Sequence, residues 1–126
     1  MKKYFFIITL ITLTLFSCSK EEGEGGRSSI SGTVHMTDLT GGNQGEYNVP
    51  EYDVYIIYGE EDNVYDDDMK TNYDGSFEFK NLRKGTYRIF AYTLDNSVPS
   101  LTSPVFKSAT IGGNEEASVG TIEVEK

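Results

Sequence analysis

Apolar and polar residues alternate along most of this chain, in short segments that are separated by turn residues. The alternation covers 30–35, 53–58, 76–80, 87–92 and 120–125, and further candidate segments lie at 64–71 and 104–111. The turn residues between them are Gly41-Gly42-Asn43, Asp74-Gly75, Lys84-Gly85 and Gly112-Gly113-Asn114. A period of two is typical of strands with one buried face, and no stretch has helical spacing. The pattern therefore predicts an all-β chain of about seven short strands.

Each predicted strand has one apolar face, which must be buried against a second sheet. We therefore expect a single antiparallel two-sheet sandwich over residues 30–126. Asp74-Gly75 should form a tight turn between two strands, because both residues tolerate positive φ. The residues expected in the core, on the apolar side of their segments, are Phe77, Phe79, Leu82, Tyr87 and Ile89.

The start of the chain has the organisation of a secretory leader. Lys2 and Lys3 precede an apolar and threonine-containing stretch over 4–16, shorter than the about 20 residues of a membrane span. Its end, Leu15-Phe16-Ser17-Cys18, resembles the lipobox of bacterial lipoproteins. The resemblance implies that residues 1–17 are a signal peptide and that Cys18, the only cysteine, carries a covalent lipid. The alternative is a cleaved signal peptide followed by an incidental thiol.

Residues 18–29 are rich in Gly, Ser and Glu and have no large apolar side chain. This composition predicts a flexible acidic tether between the lipid and the domain. Ser19-Lys20-Glu21-Glu22 also resembles the acidic export signal that some Gram-negative bacteria place after the lipidated cysteine. That resemblance implies a lipid-anchored outer-membrane protein, and it favours the cell surface over the periplasmic face.

The domain itself resembles a known family in several short motifs. Ser31-Gly32-Thr33-Val34 opens it, and Asp74-Gly75-Ser76-Phe77-x-Phe79 leads to Asn81-Leu82-x-x-Gly85-Thr86-Tyr87-x-Ile89-x-Ala91. This order is similar to the carboxypeptidase regulatory-like, or transthyretin-like (prealbumin-like), sandwich domain. The resemblance implies a non-catalytic domain in which the Tyr87 hydroxyl bonds to nearby backbone, as in the tyrosine corner of sandwich folds.

Charge and residue inventory exclude several kinds of function. The net charge is −9, and loss of Lys2 and Lys3 with the leader makes the mature chain more acidic, so nucleic acid is an unfavourable partner. His35 is the sole histidine and, as a residue on the polar side of a strand, is expected to be solvated rather than catalytic. We therefore predict that the protein is not an enzyme and needs no cofactor besides the covalent lipid.

The acidic stretch 60–68 is the one candidate for metal binding, because calcium takes six to eight oxygen ligands. Its spacing does not match an EF-hand loop. A charged hairpin end, which discourages unwanted strand pairing, is the favoured interpretation. The weak calcium candidates are Asp62, Asp66, Asp67 and Asp68.

Tyrosine is abundant, with nine residues, and several of them fall in loops or on the polar side of strands. Exposed tyrosines beside carboxylates suit recognition of glycans or proteins. The candidates for a binding surface are Tyr52, Tyr55, Tyr65 and Tyr92.

We therefore expect a lipid-anchored binding or scaffolding module whose partners are envelope proteins or glycans. A structural or adhesive role, such as that of a fimbria-associated lipoprotein, is the alternative. The sequence does not indicate an oligomeric state.

Overall fold

The structure is a computed structural model that describes residues 21–42 and 44–126, so the predicted leader and Cys18 lie outside the described residues. The described chain forms eight strands, one more than predicted. They are β1 (Glu24–Asp38), β2 (Gly45–Asn48), β3 (Asp53–Tyr58), β4 (Asp67–Lys70), β5 (Ser76–Leu82), β6 (Gly85–Leu94), β7 (Thr102–Ile111) and β8 (Glu116–Glu125). Residues 21–42 and 44–126 contain no helix that is long and apolar enough to cross a membrane.

The strands form two four-stranded sheets, which confirms the predicted sandwich. In the first sheet the long strand β1 pairs with β8 along one edge, and with β5 and then β2 along the other. The second sheet has the order β4-β3-β6-β7 and is antiparallel throughout. The β1–β8 pair is parallel, so the prediction of purely antiparallel pairing is wrong at this one place.

The core lies between the sheets and follows the predicted alternation. The five core residues named from the sequence are all buried, and Phe77 and Phe79 pack edge to face, with ring centroids 6.1 Å apart. Gly32 lies opposite Phe77 in the β1–β5 pair, and a Cβ on it would come within 2.5 Å of the Phe77 ring. Glycine at this position therefore gives a large aromatic side chain the space that it occupies.

The alternation of core-facing residues in strand β8 changes partway along the strand. Ser31 pairs with Ser118, but Thr33 pairs with Thr121, so β8 contains an extra residue around Gly120. A bulge of this kind shifts the following side chains to the opposite face. For this reason the residues that pack on the core are Ala117 and Val119 before the bulge and Ile122 and Val124 after it.

The predicted flexible tether is wrong for the residues nearest the domain, because β1 begins at Glu24 rather than near Ile30. Ser28 is buried, and its hydroxyl donates to the carbonyl of Gly112 at 2.6 Å. Pairing through the backbone needs no large side chain, which is why the Gly- and Ser-rich composition was misleading. Even Glu22 contacts the domain, since its carboxylate accepts a hydrogen bond from the Thr86 amide at 3.3 Å.

The tyrosine corner predicted for Tyr87 is present and includes this N-terminal segment. The buried Tyr87 hydroxyl donates to the carbonyl of Arg83 at 2.7 Å and accepts from the amide of Gly23 at 2.8 Å. The Arg83 amide donates in turn to the Gly23 carbonyl at 2.8 Å. One side chain therefore ties the β5–β6 turn to the residues that precede β1.

The predicted tight turn at Asp74-Gly75 is present before β5. Gly75 has a φ of 81°, but Asp74 does not have positive φ. Asp74 instead accepts hydrogen bonds from the amide of Ser76 at 3.0 Å and from its hydroxyl at 2.6 Å. Both bonds favour the charged carboxylate, and they lower the pKa of Asp74.

Candidate functional site

The outward side of the β4-β3-β6-β7 sheet has a cluster of aromatic side chains. Tyr55 on β3 lies opposite Phe90 on β6, which lies opposite Phe106 on β7. Because paired residues point to the same side of a sheet, these three rings form a row across the strands. Tyr92 lies two residues along β6 from Phe90 and therefore on the same side. We call these four residues and Tyr65, from the β3–β4 connection, the aromatic face.

The rings of the aromatic face contact one another directly. Tyr55 lies 4.8 Å from Tyr65 and 5.0 Å from Phe90 between ring centroids, and it stacks on Phe90 at an interplanar angle of 17°. Phe90 lies 5.0 Å from Phe106. Tyr92 meets Tyr55 and Phe90 edge to face, at 5.6 and 5.5 Å. These distances fall in the range of favourable aromatic pairs, so the rings hold each other in place.

Solvent reaches the rings at the margins of the cluster. Phe90 at its centre is 4% exposed, whereas Tyr65, Tyr92 and Phe106 are 48%, 41% and 47% exposed. Phe90 does not belong to the main core, which lies on the other side of the sheet. The aromatic face is therefore a small, rigid apolar layer with three half-exposed rings around it.

Tyr65 reaches this face because the acidic β3–β4 connection is fixed to the sheet. Arg88 points to the outward side of β6 and donates to the carbonyls of Gly59, at 3.3 Å, and Asp62. The Asp66 carboxylate accepts from the Tyr58 amide at 2.7 Å, and the Asp66 amide donates to the Ile56 carbonyl at 2.8 Å. The connection joins two antiparallel strands, so it is the charged hairpin end that the sequence suggested, and it is held at both of its ends.

A shallow cleft opens beside Tyr55 and Tyr92. It has a volume of about 270 Å³ and is lined by Glu51, Tyr52, Asp53, Tyr55 and Tyr92. The Tyr52 hydroxyl donates to the carbonyl of Tyr92, which connects the β3 side of the cleft to β6. Asp53 pairs with Lys70 of β4 at 2.8 Å. The cleft therefore combines ring surfaces with carboxylate oxygens that can accept hydrogen bonds.

Burial and neighbouring charge act in the same direction on the phenols of Tyr52 and Tyr55. Partial burial, followed by the negative charge of Asp53, raises the pKa of Tyr55 and of Tyr52 above its usual value. A protonated phenol can both donate and accept a hydrogen bond. The site therefore offers donors and acceptors next to apolar ring surfaces, which is the combination that a hydroxylated ligand requires.

The structure brings together all four tyrosines that the sequence suggested, although they are not equally exposed. Tyr65 and Tyr92 are exposed, as predicted. Tyr52 and Tyr55 are only partly exposed, because Tyr52 packs against the main core and Tyr55 is surrounded by the other rings.

Sequence reasoning missed Phe90 and Phe106. Their alternation with core residues could have identified them, because each phenylalanine falls on the outward, polar side of its strand. A large apolar residue at such a position indicates a candidate contact surface. Phe90 is followed by Tyr92 on that same side, which makes two outward aromatic residues on one strand.

The weak calcium candidates do not converge. Asp67 and Asp68 are consecutive residues of β4 and therefore point to opposite faces of the sheet. Asp66 is engaged with the Tyr58 amide. Among the residues that the structure describes, no group of three or more His, Cys, Asp or Glu side chains is arranged to hold a metal ion. His35 lies on the other sheet, where its Nδ1 is 2.9 Å from the amide oxygen of Asn48.

Comparison with solved structures finds proteins of similar fold. The crystal structure of a "putative carbohydrate binding protein" from Pseudomonas aeruginosa matches with a TM-score of 0.50 and 15% sequence identity. The match covers 82% of this chain and 91% of the Pseudomonas chain. At this identity the likeness supports the fold alone. No protein-family model matches the chain, and no curated protein matches it in sequence.

Proposed function

We propose that this protein is a non-catalytic binding module of the bacterial cell envelope that recognises glycans through its aromatic face. The observation that carries the proposal is the cluster of five aromatic side chains on one outward sheet surface, with three of them half exposed. An isolated exposed aromatic residue is ordinary, but a contiguous group held rigid by mutual contacts is typical of a recognition surface.

A glycan fits this surface better than an apolar ligand does. The C–H faces of a sugar ring can pack on an aromatic ring, while its hydroxyls need polar partners around the ring. Asp53 and Glu51 provide acceptors beside Tyr92, and the tyrosine hydroxyls provide donors. The name of the Pseudomonas protein, which has the same fold, is compatible with this class of ligand. The resemblance to regulatory-like domains also supports a binding role over a catalytic one.

The proposal is tested by measuring glycan binding on an array with the full-length protein and with single variants of its exposed rings. Tyr65→Ser, Tyr92→Ser and Phe106→Ser should each weaken binding, while the circular dichroism spectrum at the assay temperature stays that of the folded wild type. Tyr73→Ser is the matched control, because Tyr73 is 91% exposed and lies in the turn before β5. Binding that survives all three changes, or that falls equally in the Tyr73 control, contradicts the proposal.

We further propose that a lipid on Cys18 holds this module at the outer membrane, facing the cell surface. The support is the lipobox resemblance and the acidic residues that follow it. Because Glu22 contacts β6, only four residue steps separate Cys18 from the domain, and they can span at most about 14 Å. The module would then stay close to the membrane and meet glycans or proteins of the envelope itself.

Cys18→Ala tests the anchor directly. The variant should leave the membrane fraction or accumulate as the unprocessed precursor, because a lipid stabilises membrane attachment by about 0.8 kcal/mol per buried methylene. Metabolic labelling with a fatty acid should mark the wild type and not the variant. A variant that still fractionates with membranes at the mature size contradicts the anchor.

A further inference from the structure

The shape of the aromatic face bears on the size of its ligand. Tyr65, Tyr55, Phe90 and Phe106 follow one another across the strands, and each centroid lies 4.8–5.0 Å from the next. The exposed rings are at the two ends of this row, on Tyr65 and Phe106, and beside its middle, on Tyr92. A single sugar ring has about the area of one aromatic ring, so it covers one exposed ring and leaves the others in water.

The charges around the row bear on the chemistry of the ligand. The carboxylates of Asp53 and Asp68 both lie near Tyr55, and Glu51 lines the adjoining cleft. Two cations lie on this side of the described chain, Lys70, which pairs with Asp53, and Arg88, which donates to backbone carbonyls, so the three carboxylates leave an excess of one negative charge. An anionic sugar would therefore meet like charges, whereas neutral hydroxyls would meet hydrogen-bond acceptors.

From these two observations we infer that the site takes a neutral glycan chain of several sugar units, laid across the strands from Tyr65 to Phe106, and discriminates against acidic glycans. This inference rests on the proposed glycan-binding function and adds the ligand's length, direction and charge. It also explains the arrangement of the β3–β4 connection, because fixing that segment to the sheet places Tyr65 at one end of the row.

Calorimetric titration of the full-length protein in detergent tests whether the site prefers a glycan of several sugar units. The probes are neutral gluco-, xylo- and mannooligosaccharides, each from the monosaccharide to the hexasaccharide. For the series that binds, the hexasaccharide should bind at least about tenfold more tightly than the monosaccharide, which corresponds to about 1.4 kcal/mol. Phe106→Ser should remove most of this length dependence, whereas Tyr73→Ser should preserve it. Equal affinity for all lengths overturns the inference while leaving glycan binding intact.

The charge is tested with polygalacturonate and heparin as acidic probes. The wild type should bind both at least about tenfold more weakly than the neutral hexasaccharide. Asp53→Asn should improve polygalacturonate binding, because it removes a carboxylate and frees Lys70. Glu78→Gln is the matched control: it removes one negative charge and frees Lys80 on the other sheet, 3.4 Å away. Equal gains in both variants, or tight binding of acidic glycans by the wild type, would show that the carboxylates beside the aromatic face do not exclude acidic glycans, and would overturn the inference. If no glycan of either class binds, the proposed function itself is wrong.

Discussion

The hydroxyl of Tyr87 offers the sharpest test of how this fold is held together. Tyr87→Phe removes one oxygen atom and leaves the buried ring and its packing in place. That oxygen donates to the Arg83 carbonyl and accepts from the Gly23 amide, at 2.7 and 2.8 Å. Because Gly23 is buried, its amide cannot turn to water when the oxygen is lost.

The magnitude follows from these contacts. Each hydrogen bond contributes about 0.5–1.5 kcal/mol, and a buried group left without a partner costs about 1–3 kcal/mol. We expect Tyr87→Phe to lower the free energy of unfolding by about 2–3 kcal/mol, out of the about 5–15 kcal/mol typical of a domain. At about 4–8 °C per kcal/mol for a domain near this size, the melting temperature should fall by about 10 °C or more.

Urea denaturation followed by circular dichroism measures this change, with Tyr73→Phe as the control that should stay within about 0.5 kcal/mol of the wild type. A chain that begins at Glu24 adds a second test, because it lacks Gly23. In that shortened chain Tyr87→Phe should cost less than in the full chain, since one of its two bonds is already gone. A loss below about 0.5 kcal/mol in the full chain, or equal losses in both chains, would refute the role of the corner.

Three further changes have expected results. Phe79→Ala should lower stability by about 3–5 kcal/mol through cavity formation, measured by urea denaturation; a loss below 1 kcal/mol would contradict its place in the core. Gly32→Ala should cost about 1–3 kcal/mol because its Cβ would lie 2.5 Å from the buried Phe77 ring, and an unchanged urea midpoint would contradict that packing. The hydroxyl and amide of Ser76 lower the pKa of Asp74, so the folded chain binds this proton less readily than the unfolded chain. The resulting stability is present above about pH 3.9 and is lost as the pH falls through the folded pKa; Asp74→Asn should flatten this acid dependence of the urea midpoint, and an unaltered slope would argue against it.

The sequence was sufficient to predict the sandwich because its strands carry a clear period of two. The same parity predicted the burial of Phe77 and Phe79, because parity depends on local spacing that a single sequence records directly. The family resemblance around Tyr87 predicted a bond to nearby backbone, and the bond to Gly23, 64 residues away, was not predicted.

The errors lie where structure depends on contacts distant in sequence. Residues 24–29 form part of β1 through backbone pairing with β5 and β8. Backbone pairing does not require apolar side chains, so the composition of these residues did not indicate a strand. The position of Tyr65 depends on Arg88, which is remote along the chain and holds the acidic connection against the sheet. Phe106 was missed because its importance comes from its place opposite Phe90 on a neighbouring strand.

A nuclear magnetic resonance titration shows directly whether a glycan binds at the aromatic face. Amide and aromatic resonances of the labelled protein are followed while the tightest-binding neutral oligosaccharide is added. We predict that the perturbed signals belong to Tyr55, Tyr65, Tyr92 and Phe106 and to their neighbours on β3, β6 and β7. Perturbations centred on the opposite sheet, around Ser31, or on no defined surface would contradict it.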